Sequence, residues 1–515
     1  MAANIVRQCT LQNTDLTGAV SGCTKLGSNK FWKGWVVDHG DGTADFCCLW
    51  GSTGKAGKTT GSKHGIGLNA ATSLYEKKRK QKLSPKKGYT EIQTRSDDEE
   101  VAKQKAAGVV LDTKVKKVKS PVQVKTRQFH PDVSDLLGVI YGSTARAVVQ
   151  GLSSQAGATA DNPIGNLSDS QLDKGGIILD EIGHLLETRF GHETQGNKGT
   201  ELPLRSGVPT NEVIELTNDY YSNVPRPIPI TSRGRGNLHR LVVSSFERLQ
   251  RERDFMQLLR DAHLARATFA AAAVQPKTTG SKEVVWYDGL SCDIEAVTKG
   301  SAEWKRLLNI FEERQSHRNA NFYQRLKLTR AWSFQRKGKS PRFDTYTKQV
   351  SAKQGAKGVI QGFHGTRTAN LMGISQSGLL MPERLPPGIS KAGSAFGVGI
   401  YIAPRWSSAS ETIEGARSDG TSGLLKACNY SSLRGAYYHQ SNSGNKGYVY
   451  LQDVALGRGE VRTTTCWGQK RPSRWPQQDF IYANAGGCSS LTHDEIVVFD
   501  EDALRFSHLF EIELR

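Results

Sequence analysis

No stretch of this chain approaches the roughly 18 consecutive apolar residues that a bilayer-spanning helix needs. Its opening Met-Ala-Ala-Asn-Ile-Val-Arg-Gln-Cys-Thr lacks the basic and then apolar plan of a secretory signal. Membrane and exported classes are therefore not expected, and an intracellular protein is. Cysteine is sparse: Cys9, Cys23, Cys47, Cys48, Cys292, Cys428, Cys466 and Cys488 are scattered over 515 residues, too thinly for a disulfide framework, which fits a reducing compartment. No Cys-x-x-Cys or His-x-x-x-His pair offers metal-ligand spacing, so no metal is expected. Proline is modest at 17 residues, and the 53 glycines are spread along the chain, so no low-complexity block replaces folded structure.

What is abundant is positive charge. Lys and Arg number 69 against 50 Asp and Glu, a net +19. Between Lys77 and His130 stand 16 basic and 6 acidic side chains, so about half of the excess sits in one segment. An excess placed that way points to a polyanion such as nucleic acid; a solvated face followed by a basic linker is the alternative. The length suits two to four domains.

The run Phe31-Trp32-Lys33-Gly34-Trp35-Val36-Val37, then Asp41-Gly42, then Phe46-Cys47-Cys48-Leu49-Trp50 predicts a β-hairpin. Asn69 to Lys82 fits a helix, giving a small sheet with one packed helix. Ser96 to Val124 mixes both charges without apolar periodicity and reads as a linker. From Pro131 to Val274 the signals are helical: Val133, Leu136, Leu137 and Ile140 at helical spacing, a capping-box pattern at Ser168-Asp169-Ser170-Gln171, and a run from Leu238 to Ala272. An all-α bundle is the simplest architecture there, and Gln275 to Gly280 reads as a hinge. Beyond Glu283 short β-type runs predominate (358–363, 399–402, 448–451, 496–499, 509–512), interrupted by helices at 302–313 and 369–376, which predicts an α+β domain with a largely antiparallel sheet.

Three segments could carry chemistry. Phe363-His364-Gly365-Thr366-Arg367-Thr368-Ala369-Asn370 ends a strand with a polar turn where groups can converge on a ligand. Phe396-Gly397-Val398-Gly399-Ile400-Tyr401 lets a backbone approach closely beside an aromatic ring; it has neither the third glycine nor the βαβ setting of a dinucleotide loop. His493-Asp494-Glu495-Ile496-Val497-Val498 places a carboxylate at the start of an apolar strand. Taken singly, each of these residues is more often structural than functional.

Taken together and in this order, they resemble the catalytic domain of the poly(ADP-ribose) polymerases, the diphtheria-toxin-like ADP-ribosyltransferases with a His-Tyr-Glu triad. Gly373-Ile374, Gly378-Leu379, Asp453-Val454-Ala455-Leu456-Gly457 and Glu495 to Asp500 extend the resemblance over residues 283–515. Upstream, Pro163-Ile164-Gly165-Asn166-Leu167-Ser168 and Leu216-Thr217-Asn218-Asp219-Tyr220-Tyr221 resemble the family's helical regulatory domain. Asn29-Lys30-Phe31-Trp32, Leu49-Trp50-Gly51-Ser52 and Lys87-Gly88-Tyr89 resemble its WGR module. The resemblance implies a multi-domain α+β protein: a β-sheet WGR domain at 1–95, a basic linker at 96–124, an all-α regulatory domain at 125–275 and an α+β catalytic domain at 283–515.

It also implies NAD+ as substrate, with nicotinamide released and no metal. Glu495, His364 and Tyr401 would be catalytic. His364, Gly365, Thr366, Asn370, Gly373, Tyr401 and Ser408 would bind NAD+, with Gly365 and Ser408 holding the carboxamide. Trp50, Lys55, Lys58 and Lys63 would meet nucleic acid. DNA ends or nicks and protein acceptors, the chain itself included, would be the partners, in the nucleus if the host is eukaryotic.

Departures from the family pattern are visible too. After Tyr401 the family shows Ser-Lys-Ser-Ala-x-Tyr, whereas this chain reads Trp406-Ser407-Ser408-Ala409-Ser410-Glu411-Thr412, without the lysine or second tyrosine. Leu380 stands for an arginine, and Ser52 for the arginine of the WGR name. The expected activity is poly(ADP-ribosyl)ation in response to DNA breaks; single ADP-ribose transfer, a non-catalytic nucleic-acid scaffold and RNA-responsive activity are the alternatives.

Overall fold

A computed structural model describes residues 4–16, 28–53, 57–93, 128–154, 167–193, 197–203, 210–226, 241–273, 281–313, 325–389, 395–405, 408–409, 412–413, 423–431, 433, 445–471, 476–485, 488, 491 and 493–515. The predicted linker at 96–124, the hinge at 275–280 and Lys55 lie outside them. Helices run α1 Leu68–Leu83, α2 Pro131–Ser154, α3 Asp169–Phe190, α4 Thr210–Asn223, α5 Phe246–Ala273 and α6 Ser281–Gly289. They continue as α7 Ala302–Glu312, α8 Lys339–Ser351, α9 Leu371–Ser377 and α10 Gly423–Tyr430. The described residues are mixed α+β, and packing divides them into two units.

The first unit draws on 1–114, 147–263 and 386–390. Strands β1 Asn4–Asp15, β2 Ser28–Asp38, β3 Thr43–Ser52, β4 Lys63–Gly67 and β5 Thr90–Ile92 form an antiparallel sheet in the order β4-β3-β2-β1-β5. The predicted hairpin is β2–β3; Asp41 Oδ1 accepts the Thr43 amide at 2.8 Å and Gly42 takes φ +89, the left-handed region that glycine tolerates. Strand alternation buries Ala44, Phe46 and Cys48 on one face of β3, where α1 lays Ala71 and Tyr75 over them with Leu11, Trp32 and Val36. Each large apolar side chain removed from water there contributes about 2 kcal/mol.

Ser168 caps α3 as its pattern predicts, its hydroxyl accepting the Gln171 amide at 3.1 Å. Helices α3, α4 and α5 bury Leu172, Leu179, Ile182, Val213, Tyr220, Phe246, Leu249 and Met256, and Leu16 and Ile92 join the same core. Thr14 N donates to Ser222 Oγ at 3.0 Å, Leu16 N to Asn218 Oδ1 at 2.7 Å and Asn29 Nδ2 to the Arg226 carbonyl at 2.7 Å. Leu16 and Ile92 thereby join the sheet to the helices' core along a hydrogen-bonded seam, while the sheet and α1 keep a core of their own. The helical run expected from Leu238 begins at Phe246 instead, because residues 241–245 spend their polar groups on other partners, with Leu202 N on the Ser244 carbonyl at 2.9 Å.

The second unit draws on 115–146, 264–385 and 391–515. Its strands are β6 Cys292–Ala296, β7 Leu326–Arg336, β8 Gly358–Thr366, β9 Ile400–Pro404, β10 Lys446–Leu456, β11 Gly459–Arg462, β12 Phe480–Ala483, β13 Glu495–Val498 and β14 Leu504–Leu514. They lie in the order β11-β12-β13-β9-β8-β10-β14-β7-β6, and only β11–β12 is parallel. The first half of α2 was expected in the helical bundle. It buries Val133, Leu136, Leu137, Ile140 and Tyr141 with Tyr287, Trp332 and Phe334 of this unit, and Trp332 Nε1 donates to the Asp132 carbonyl at 3.1 Å.

Candidate active site

Strands β13, β9 and β8 are consecutive in the sheet, and each carries one of the three residues expected to form the triad, Glu495, Tyr401 and His364. Val497 pairs with Tyr401 across β13–β9, and Phe363 pairs with Ala403 across β8–β9. Neighbouring strands stand about 4.8 Å apart, so antiparallel pairing gathers residues that are far apart in sequence.

His364 Nδ1 lies 3.4 Å from the Tyr401 carbonyl. A carbonyl can only accept, which puts the ring proton on Nδ1 and leaves Nε2 as an acceptor. Burial pushes the His364 imidazole down to about 4, against the small upward pull of that carbonyl, so the ring is neutral at physiological pH. The Tyr401 hydroxyl donates to the Gly397 carbonyl at 2.8 Å and accepts the Phe396 amide at 2.9 Å. Those two bonds tie the Phe396-Gly-x-Gly turn to β9. Gly399 is required there: a β carbon would stand 2.7 Å from the Val498 carbonyl oxygen.

Gly365 is fixed by a closer approach. A β carbon on it would stand 1.7 Å from the Ala427 carbonyl oxygen of α10, so α10 lies directly on the backbone of β8. The residue before Ala427 is Lys426, whose ammonium contacts the Glu495 carboxylate, each side chain being 10% exposed. Burial pushes the Lys426 ammonium down to about 7, with the Asp494 charge pulling the other way. Asp494 is itself held, its Oδ1 accepting the Ala485 amide at 2.7 Å. Through two successive residues α10 thus meets both Gly365 on β8 and Glu495 on β13.

Asn370, in the single 3-10 turn after β8, donates from Nδ2 to Thr366 Oγ1 at 3.1 Å. Gly373 on α9 has open space where a β carbon would point. Ser408 is not brought to Gly365: its hydroxyl accepts the Gln361 amide at 3.0 Å, four residues back along β8, or about 13 Å at the usual strand rise. The pairing of Ser408 with Gly365 is therefore corrected, and α10 occupies the place beside Gly365.

That helix also corrects the missing lysine. Leu425-Lys426-Ala427-Cys428-Asn429-Tyr430 fits the family's Ser-Lys-Ser-Ala-x-Tyr at the lysine and the tyrosine, displaced by the additional residues after Pro404. The departures that remain are Leu425 and Ala427 for the two serines and Cys428 for the alanine of the pattern. Lys426 lies outside the segment directly after Tyr401, and its signal in the sequence is Lys-x-x-Asn-Tyr ahead of an apolar strand.

Family models match most of the chain. Residues 301–514 match the poly(ADP-ribose) polymerase catalytic domain, residues 128–280 its regulatory domain, and residues 7–96 the WGR domain. The chain belongs to the poly(ADP-ribose) polymerase family. No curated protein matches the sequence. As a member of this family the chain is an NAD+ ADP-ribosyltransferase with the WGR, regulatory and catalytic architecture. The poly(ADP-ribose) polymerase catalytic domain uses NAD+ as substrate. Among the described residues no helix is long and apolar enough to cross a membrane.

On the WGR sheet, Trp50 is 39% exposed, and its Nε1 donates to the Thr60 carbonyl at 3.1 Å. Lys58 lies over its ring at 5.9 Å, and Lys63 opens the edge strand β4. Ser52, at the end of β3, is exposed.

Proposed function

We propose that this chain is a poly(ADP-ribosyl)transferase switched on by DNA breaks. The observation that carries the chemistry is Glu495, a buried carboxylate at the start of β13 held against the Lys426 ammonium. Breaking the bond between nicotinamide and ribose builds positive charge on the sugar, as in glycoside cleavage. A fixed carboxylate stabilises that charge without reorganising. In this reading Glu495 binds a ribose hydroxyl and orients the acceptor hydroxyl, and Lys426 holds the carboxylate in place. His364 accepts from the adenosine ribose through Nε2, Tyr401 stacks on nicotinamide, and the Gly365 backbone holds the carboxamide. Thr366, Asn370 and Gly373 line the rest of the dinucleotide.

Nucleic acid meets the WGR domain at Trp50, Lys58 and Lys63, with Lys55 alongside in sequence. A base stacks on the exposed indole and the ammonium groups meet phosphates. Lys77, Lys78 and Lys80 are exposed on α1 and extend the positive face. Control of the catalytic site by the helices is supported by residues 386–389, which pack with them: Arg260 donates to the Pro387 carbonyl at 3.2 Å, and the Gly388 amide donates to Asp180 at 3.3 Å. This segment precedes the Phe396 turn, so release of the helices on DNA would free it. Protein acceptors, this chain included, are modified on carboxylates or serines.

The test is product length. With labelled NAD+ and nicked DNA, a denaturing gel is expected to resolve a ladder of polymer on the protein that disappears without DNA and in Glu495→Gln. A single discrete shift would make the enzyme a mono(ADP-ribosyl)transferase, and an equal ladder without DNA would remove the sensor.

A further inference from the structure

Three donor side chains, Asp45, Cys47 and His64, converge on the outer face of the WGR sheet, and a fourth, His39, is bonded to the same carboxylate. Along β3, Ala44, Phe46 and Cys48 point into the core, so Asp45 and Cys47 share the opposite face. The β3–β4 register breaks between Ala44 and Phe46, which pair with Ile66 and Lys63. The bulge therefore sets two residues, His64 and Gly65, opposite Asp45; Gly65 takes φ +64, and its amide donates to Asp45 Oδ1 at 2.8 Å. His64 Nδ1 lies 3.0 Å from Asp45 Oδ2, and His39, from the β2–β3 turn, places Nε2 3.3 Å from Asp45 Oδ1. The ligand atoms of Asp45, Cys47 and His64 all lie within 4.8 Å of one another.

We propose that His39, Asp45, Cys47 and His64 form a structural site for a borderline-soft divalent cation, Zn2+. Two imidazole nitrogens, one thiolate and one carboxylate are the donors such an ion takes in a tetrahedron, and the two anionic ligands balance its charge. The spacing is close to what is needed. A tetrahedron with Zn–N and Zn–O bonds near 2.1 Å has edges of about 3.4 Å; His64 Nδ1 stands 3.0 Å from Asp45 Oδ2, while His39 meets the other carboxylate oxygen at 3.3 Å and has to swing inward to complete the set. A cation would take the imidazole nitrogens that now face Asp45, each neutral ring carrying its proton on the other nitrogen, after rotation of the exposed His64 and the half-buried His39, and the Cys47 thiol proton would be released to solvent. The Gly65 amide supplies the outer hydrogen bond that orients a ligating carboxylate. Surface ion pairs of this kind contribute little by themselves, whereas a cation here would pin the edge strand β4, which carries Lys63, to β3 and to the hairpin turn. The ligand order His-x5-Asp-x-Cys-x16-His matches no common spacing. Strand pairing assembles it, and it runs against the expectation of no metal.

Titration of the full-length, metal-stripped chain with Co2+ tests the proposal. One equivalent is expected to give visible bands of tetrahedral intensity and a thiolate charge-transfer band, both removed by stoichiometric Zn2+. Cys47→Ser should abolish the charge-transfer band, and His64→Ala should weaken binding at least tenfold. A second readout uses the unaltered sequence: Zn2+ should slow alkylation of Cys47 at least tenfold, located by mass spectrometry. Absence of the bands, a thiolate band that survives Cys47→Ser, or Cys47 alkylation unchanged by Zn2+ would each overturn it.

Discussion

The ammonium of Lys426 rests against the carboxylate of Glu495, and both side chains are 10% exposed. Such a pair is held by mutual compensation: either charge alone, left dry, costs several kcal/mol. Lys426→Met is expected to destabilise the protein by about 3 kcal/mol and to slow nicotinamide release at least tenfold, a barrier increase of about 1.4 kcal/mol. Adding Glu495→Gln to Lys426→Met should restore most of the stability and none of the activity. Thermal unfolding and turnover of the two single variants and the double variant check this; additive losses of stability would mean that the two groups do not interact.

If Gly365 holds the carboxamide as proposed, Ala427, whose backbone lies against Gly365, offers it no hydroxyl. Ala427→Ser should add one hydrogen bond, about 1 kcal/mol, which lowers KM for NAD+ by about fivefold. Steady-state kinetics on the variant decides it, and an unchanged KM would place the carboxamide elsewhere.

The His364 ring is neutral because burial holds it down to about 4, against about 6.5 in the unfolded chain. As pH falls the unfolded state takes up the proton first. The stability that the neutral ring contributes is therefore complete above about 6.5 and is lost on the way down to about 4, a total of about 3 kcal/mol. His364→Gln lacks this loss. Denaturant unfolding at pH 7 and pH 4.5 should bring the stabilities of His364→Gln and the unaltered protein closer at the lower pH, and parallel curves would contradict it.

Gly176 on α3 has the Pro387 carbonyl where its side chain would be: a β carbon would stand 2.2 Å from that oxygen. Gly176→Val should expel residues 386–389 from the helices and raise turnover without DNA severalfold, leaving the DNA-stimulated rate nearly unchanged. Comparing the two rates in one preparation checks it. Activity that stays low without DNA would show that this contact does not restrain the enzyme.

The sequence carried the elements whose patterns are local. Asp41-Gly42 marked the β2–β3 turn, Ser168 marked the start of α3, and the strands bearing His364, Tyr401 and Glu495 were legible as short apolar runs. What escaped depends on pairing. β1 alternates polar residues with Leu11 and Cys9 and buries Gln12 in a polar cluster, where Gln12 Nε2 donates to Asn29 Oδ1 and to Thr53 Oγ1 at 2.8 Å each, so periodicity alone gives it no strong signal. The first half of α2 looks like any amphipathic helix, and nothing local says that its apolar face meets Trp332 rather than Leu179. Lys426 was hidden by the residues inserted after Pro404, and Ser408 stood in the position that α10 fills.

The most direct measurement is nicotinamide release from NAD+ by the purified chain, with and without nicked or blunt DNA, beside Glu495→Ala. The account predicts strong stimulation by DNA and loss of release in Glu495→Ala under both conditions. Release that is equal without DNA, or that persists in Glu495→Ala, would contradict it.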